Sequence, residues 1–355
     1  VPNPMQLSRR TLTLSISFSL LIVLVCAVAF MSVPYVTMRP GPVFNTLGTI
    51  GDEPMLTFGD DVRTYPTEGR LDFTTVSVTR SEAKMSLLGA IQGWLDPDIE
   101  VLPHDFVYPN GQTNEESDAE GAAMLATSQD ASRAAGLRAA GLKVAEVPVV
   151  AGVEKGSPAD GKLEKGDIIA SVDGKKVSNQ GAVAEAVGTR KPGEKVEVGY
   201  VRDGKPGSVV LTTKLLGDDS KKARVGIAVG PGFRFPVDVQ NHIGDRVGGP
   251  SAGMMFALAI YDQLTPGPLT GGQNVAGTGT ISPDGTVGPI GGIGQKMAGA
   301  ADNGADIFLV PAGNCAEAAA GSDHGMTLVK VAKLTEAIDA LDVLAKNPKA
   351  KVPSC

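Results

Sequence analysis

The chain has few metal-binding side chains. Its 355 residues include three histidines and three cysteines. His104, His242 and His324 lie far apart, which leaves little for a His-rich metal site. Cys26, Cys315 and Cys355 show no C-x-x-C spacing, so a zinc site is not expected either. A basic excess is also missing: 32 Lys and Arg stand against 39 Asp and Glu, for a net charge of −7. That balance excludes nucleic acid as an expected partner. No G-x-x-x-x-G-K-[ST] run occurs, so no P-loop for a nucleotide is present in the sequence. No cofactor is expected. What remains is an ordinary globular composition, 42% hydrophobic and 20% charged, rich in glycine (45) and long enough for two or three domains.

Charge is absent over one stretch in particular. After Arg9-Arg10, no charged residue occurs from Thr11 to Met38, and Leu20 to Ala29 is almost wholly apolar. About 20 apolar residues span a bilayer, so the run reads as a transmembrane segment. Basic residues before it predict a cytoplasmic N-terminus. A cleaved signal peptide is the alternative, but no A-x-A-like site ends the run. Leu24-Val25-Cys26-Ala27 resembles a lipoprotein site only faintly, because Val25 is bulky and Cys26 sits inside the apolar run. The expectation is a cytoplasmic segment 1–10, an uncleaved single-pass anchor 11–38, and an extracytoplasmic remainder. Cys315 and Cys355 would then meet an oxidising compartment, where disulfides persist. A bridge between them would pin the tail from Lys346 onward; two free thiols are the alternative.

Residues 39–142 read as a mixed α/β region. Arg70 to Thr79 alternates with β-branched residues like a strand. Lys84 to Leu95, which holds the lone Trp94, suits a helix, as does the Ala- and Glu-rich run Asn114 to Leu142. No catalytic constellation appears there. Residues 143–215 form a smaller β-rich unit: strand Val144 to Val153, a buried strand after Gly166-Asp167, an Asp173-Gly174 turn, helix Gln180 to Val187, and a hairpin turning at Asp203-Gly204. Gly156-Ser157-Pro158-Ala159, Lys165-Gly166-Asp167-Ile168-Ile169 and Val172-Asp173-Gly174 resemble the signature of PDZ domains. That resemblance implies capture of peptide ends by strand addition. Val147 to Ala151 is the expected carboxylate-binding region. A β-rich spacer is the plainer alternative.

Residues 216–355 hold the chemistry. Ala223 to Val229 and Phe233 to Val239 read as strands. Gly248-Gly249-Pro250-Ser251-Ala252-Gly253 then makes a tight turn into the apolar helix Met254 to Leu264. A serine there has unpaired backbone N–H groups beside it that can hold an oxyanion. It can equally be a helix cap. Helices Gly294 to Asn303, carrying Lys296, and Leu334 to Ala345 follow, with a strand Asp306 to Val310 between them. The irregular mixture of elements indicates an α+β fold.

Ser251 needs a base. Gly249-Pro250-Ser251-Ala252-Gly253 fits the G-x-S-x-G nucleophile elbow, but no run of βαβ units precedes it. His242 and His324 are the histidine candidates, and Lys296 is the lysine candidate. Gly249 to Gly253, Leu269-Thr270-Gly271-Gly272, Val275 to Ile281, Gly285 to Ile293 with Lys296, and Phe308 to Pro311 resemble, in order, the proteolytic domain of Lon peptidases. With the anchor and the PDZ-like unit, nearly the whole chain is similar to the membrane-anchored, YlbL-like PDZ–Lon proteases. The resemblance implies a transmembrane helix, a PDZ-like β-rich domain and a Lon-type α+β domain. It further implies that Ser251 is the nucleophile, Lys296 its general base and Thr278 the residue that orients the lysine amine. Protein or peptide substrates and a homo-oligomer of unspecified number are likewise implied. Many Lon domains have an acidic residue three before the serine; here Gly248 stands there, with Asp245 nearby. Lacking a nucleotide motif, the enzyme would work without ATP. The contrasting expectation is a non-catalytic, membrane-tethered PDZ adaptor with a Lon-like scaffold.

Overall fold

A computed structural model describes residues 9–60, 62–202, 204–215, 223–244 and 247–355. Most of the expected 1–10 segment therefore lies outside the described residues, as do Asp203, the start of the 216–355 region and Asp245. Helix α1 (Arg9–Ala29) has 21 residues, none of them buried, and its most apolar 18 have a mean hydropathy of 2.6. At 1.5 Å per residue it is about 31 Å long, enough to cross a hydrocarbon core. It ends nine residues before the expected limit at Met38. The reason is that Val36 and Thr37 are buried in a sheet instead.

Strands β1 (Ser32–Val33) and β2 (Tyr35–Asn45) follow, then a small hairpin of β3 (Thr49–Ile50) and β4 (Glu53–Pro54). Next come β5 (Leu56–Phe58), the long β6 (Arg70–Val78), β7 (Met85–Ser86) and helix α2 (Leu87–Leu95). Ser86 caps α2 through the Gly89 N–H, so the helix starts later than Lys84. Strand β8 (Glu100–Pro103), the one-turn helix α3 (His104–Val107) and the long helix α4 (Asn114–Ala139) complete this stretch. A capping box between Thr113 and Glu116 starts α4.

The chain divides into two units, residues 141–238 and the remainder. The smaller one contains β9 (Ala145–Val153), β10 (Ile168–Val172), β11 (Lys175–Lys176), α5 (Gln180–Gly188), β12 (Lys195–Arg202), β13 (Lys205–Thr212) and β14 (Ile227–Arg234). Its sheet order is β13-β12-β10-β9-β14, around a core that includes Val150, Ile169, Val183, Val198 and Leu211. Two expectations change here. Strand β14 pairs with β9 from Ile227↔Val153 to Arg234↔Ala145, so this unit extends past residue 215. Val147 to Ala151 lies inside β9, flanked by β10 and β14, and cannot be a free carboxylate-binding loop. The expected strand Phe233 to Val239 is broken after Arg234, where Pro236 has no N–H to give to a ladder.

The larger unit resumes with β15 (Val239–Asn241), α6 (Gly253–Leu264), β16 (Asn274–Gly277), β17 (Thr280–Ile281), β18 (Val287–Gly288) and α7 (Ile293–Asp302). It closes with β19 (Ile307–Pro311), α8 (Cys315–Ala320), β20 (Thr327–Val331) and α9 (Leu334–Lys346). Its main sheet has the order β20-β19-β16-β6-β2-β8. Strands β6, β16, β19 and β20 run parallel, β2 pairs antiparallel with β6, and β8 pairs antiparallel with β2. Residues 39–142 are therefore not a domain apart. The pairs Arg70↔Asn274 to Phe73↔Gly277 put β6 in the middle of the sheet, with Leu71 and Phe73 buried. Gly277 is required there, because a Cβ would sit 2.8 Å from the Met255 sulfur and 2.9 Å from the Leu309 Cβ. Cys315 and Cys355 form the expected disulfide, 40 residues apart with Cα atoms separated by 5.1 Å. The Lys330 N–H also donates to the Pro353 carbonyl at 3.0 Å, holding the tail beside β20.

Candidate active site

Ser251 stands at the head of α6, one of the most buried helices in the fold. Residues Gly253 to Ile260 of α6 are all buried. The N-cap position belongs to Ala252, and no side chain caps the helix. Ser251 is therefore not the capping serine that such a turn would ordinarily use. The turn itself needs Gly249, whose φ is +86°.

Helix α4 holds this turn in place. The Gly249 N–H donates to the Gly121 carbonyl at 2.9 Å. The Ser128 hydroxyl donates to the Pro250 carbonyl at 3.0 Å, and the Ser132 hydroxyl lies 2.9 Å from the Gly253 carbonyl. A Cβ on Gly136 would come within 2.7 Å of the Ala257 carbonyl oxygen, so α4 can lie this close to α6 only with glycine there. Gly121, Ser128, Ser132 and Gly136 recur at helical spacing on one stripe. That stripe of small residues was the available signal for a site-forming helix in 39–142, and composition alone hid it among many alanines.

Behind the turn, the Ser251 carbonyl accepts the Gly279 N–H at 2.7 Å and the Thr278 hydroxyl at 3.1 Å. The Met254 N–H in turn donates to the Gly279 carbonyl at 3.0 Å. Thr278 is fully buried between β16 and β17 and also receives a hydrogen bond from Lys296 Nζ at 3.1 Å. Lys296 lies on α7, with 2% of its surface exposed. Gly292 starts that helix at φ +69°, with Met38 and Val76 too close for a side chain. Burial of the ammonium pulls the Lys296 pKa down to about 8, and among the described residues no neighbouring carboxylate offsets that effect. The structure thus joins Lys296 and Thr278 directly, and joins both to Ser251 through its main chain.

The histidine candidates stand elsewhere. His242 Nε2 is 2.9 Å from the Thr57 hydroxyl, and Nδ1 faces Glu53 at 3.5 Å. His324 is exposed on a turn at φ +50°. A cavity of about 350 Å3 opens next to the Ser251 turn. Pro250 and Ile281 line one side, and Glu120, Ala123, Met124 and Thr127 of α4 the other.

Comparison with known proteins agrees with the two-unit architecture. Residues 121–213 match the PDZ domain model, and residues 238–342 match the C-terminal proteolytic domain of Lon protease (S16). Over 119 residues the chain is 37% identical to a Lon protease of Clostridioides difficile, which is 30% of this chain and 15% of that protein. It is 32% identical over 122 residues to Lon protease 2 of Bacillus subtilis, covering 33% of this chain and 21% of that one. The chain thus spans about a fifth or less of the length of these relatives. A PDZ domain of an SdrC-like protein from Listeria innocua aligns with 23% of this chain and 92% of its own, at 23% identity and a TM-score of 0.22. The molecule is an α+β protein with an N-terminal apolar helix, a β-rich PDZ-like unit and a Lon-type domain. It is homologous to proteins of the Lon protease family. The PDZ match begins inside α4, which packs in the other unit, and the Lon match covers only the second half of the unit whose sheet β2, β6 and β8 complete.

Proposed function

We propose that this chain is a membrane-anchored, ATP-independent serine endopeptidase in which Ser251 is the nucleophile and Lys296 the general base. The observation that carries this reading is the buried Lys296 amine, bonded to Thr278 and depressed in pKa to about 8. A free lysine is almost wholly protonated at neutral pH and cannot accept a proton. At a pKa near 8, roughly one in ten is neutral at pH 7. Thr278 gives its own proton to the Ser251 carbonyl, so toward Lys296 it can only accept. The amine must therefore spend an N–H on Thr278, which leaves its lone pair free for the serine proton.

In this mechanism Lys296 takes the Ser251 proton as the oxygen attacks the scissile carbonyl. Main-chain N–H groups at the head of α6 stabilise the oxyanion. The lysine then protonates the departing amine, and water, deprotonated by the same lysine, releases the acyl group. A peptide side chain fits the cavity beside Pro250 and Met124. The substrates on this reading are flexible or unfolded segments of exported or membrane proteins. Strand β14 is the outer strand of the PDZ sheet, and α5 packs beside it. That edge suits capture of an extended chain end by strand addition. The disulfide fits an extracytoplasmic location for this part of the chain. An inert adaptor scaffold would gain nothing from burying an unpaired lysine at a cost in stability.

The test is hydrolysis of an unfolded protein by the full chain in detergent, without ATP. Activity should vanish in Ser251→Ala and Lys296→Met and persist in His242→Ala. Cleavage by Lys296→Met would remove lysine from the mechanism.

A further inference from the structure

Helix α2 is packed the opposite way from a surface helix of a soluble domain. Such a helix turns its large apolar residues inward. Here the small residues Ala90 and Gly93 are buried, and a Cβ on Gly93 would lie 2.7 Å from Val101. The large residues point outward: Leu88, Ile91, Trp94 and Leu95 are 41, 41, 55 and 79% exposed. Leu88, Ile91 and Leu95 share one face by helical spacing, and Trp94 flanks it. No charged residue interrupts the nine-residue helix. Single exposed leucines need no explanation, but an uncharged outer face of three large aliphatic side chains and a tryptophan, with Gln92 its one exposed polar residue, does.

The position of α2 identifies what covers that face. Only Phe30 and Met31 separate the end of α1 from β1, so no long tether stands between the apolar span and the sheet. The Leu87 N–H at the start of α2 donates to the Met31 carbonyl at 2.9 Å, and β1 pairs with β7 just before α2. Helix α3 is attached in the same place. Its His104 N–H donates to the Pro34 carbonyl at 3.0 Å, and its Phe106 is 75% exposed, beside Asp105, whose carboxylate is also exposed. Both short helices thus hang from residues 31–34, where the chain leaves α1.

We propose that the outer face of α2, with Phe106 of α3, forms an apolar collar that lies in the bilayer interface and docks the unit carrying Ser251 onto the lipid surface. The inference rests on α1 spanning the membrane. An uncharged apolar face beside the exit of a span, with a tryptophan at its margin, has the chemistry of the headgroup–acyl boundary, where Trp is enriched. Docking of this kind holds the proteolytic unit at the membrane and favours substrate segments that emerge close to the lipid.

Trp94 is the only tryptophan in the chain, and Cys26 of α1 is the only cysteine outside the disulfide. The two therefore report separately in the full chain reconstituted into liposomes. A membrane-impermeant maleimide should leave Cys26 unlabelled. Lipids brominated near the headgroup should quench Trp94 strongly, with iodide quenching severalfold weaker than for free tryptophan. Leu88→Ser with Ile91→Ser and Leu95→Ser should reverse that preference while Cys26 stays protected. A protected Cys26 with Trp94 quenched by iodide alone overturns the collar and leaves the anchor standing. A Trp94 shielded from both quenchers means that protein, not lipid, covers the face, and also overturns it. Labelling of Cys26 removes the anchor and the collar together.

Discussion

Lys296 is expensive to keep in the fold. Its pKa falls from the ordinary 10.5 to about 8 because burial disfavours the ammonium. Holding it protonated at pH 7 costs on the order of 3 kcal/mol. The native lysine releases its proton before the unfolded one does, so that cost is fully present below about pH 8 and fades as pH rises from about 8 to about 10.5. Two results are expected. The rate of peptide hydrolysis should climb through a single ionisation near pH 8. Lys296→Met should be inactive yet more stable than the parent in denaturant melts at pH 7, with the difference shrinking by pH 10. A flat pH–rate profile from 6 to 9 would argue against lysine as base. In the proposed mechanism Thr278 acts through the lysine, so Thr278→Val should lower kcat by roughly 100-fold with little change in KM. Thr278→Ser, which keeps the hydroxyl, should restore most of it. Steady-state kinetics of the two variants separate this positioning role from loss of fold. The sequence put these three residues forward as candidates because their motifs lie in order along the chain. What the sequence could not give is the direction of the hydrogen bonds, which depends on the Ser251 carbonyl meeting the Thr278 hydroxyl across 27 residues.

Helix α4 shows how an element outside the recognised motifs can shape the site. Its extent was nearly readable from its Ala- and Glu-rich composition, and it ends at Ala139 against an expected Leu142. Its role was not readable, because a serine inside an alanine-rich helix ordinarily faces water or its own backbone. Ser132 does bond back to the Ser128 carbonyl at 2.6 Å, but it also reaches the Gly253 carbonyl one residue into α6. Ser132→Ala should cost about 1 kcal/mol of stability. It should also reduce kcat more than a remote substitution of equal stability cost, because the Ser251 turn loosens. A matched variant on the inserted unit, such as Val183→Ala, provides the comparison. Equal activity in the two would mean that α4 merely supports the fold. Strands were harder to assign to a sheet than to find. Arg70 to Thr79 alternates clearly, but its pairing with β16 is a contact across about two hundred residues that no local pattern encodes.

At the scale of the molecule, the larger unit is assembled from both halves of the chain, and its C-terminal end is fixed by a covalent bond. Residues after α9 form no helix or strand. The Cys315–Cys355 disulfide and the Lys330 to Pro353 hydrogen bond tie the end of this tail back to the unit. Beyond the tail, the bridge closes a loop that contains β20 and α9, so it limits the freedom of two elements of the sheet and its cover in the unfolded chain. For a loop of 40 residues, chain entropy assigns about 4 kcal/mol to such a link, and strain or residual structure commonly reduces it. Cys355→Ser should therefore lower the Tm of the full chain in detergent by several degrees, and dithiothreitol should lower the parent to the same value. Because α9 packs on β20, α6 and α4 and carries none of the proposed catalytic residues, the remaining hydrolysis at low temperature should stay near the parent's. If reduction leaves the Tm unchanged, the hydrogen bond to Pro353 and the packing of α9 already hold this end, and the bridge adds protection only to the exposed tail.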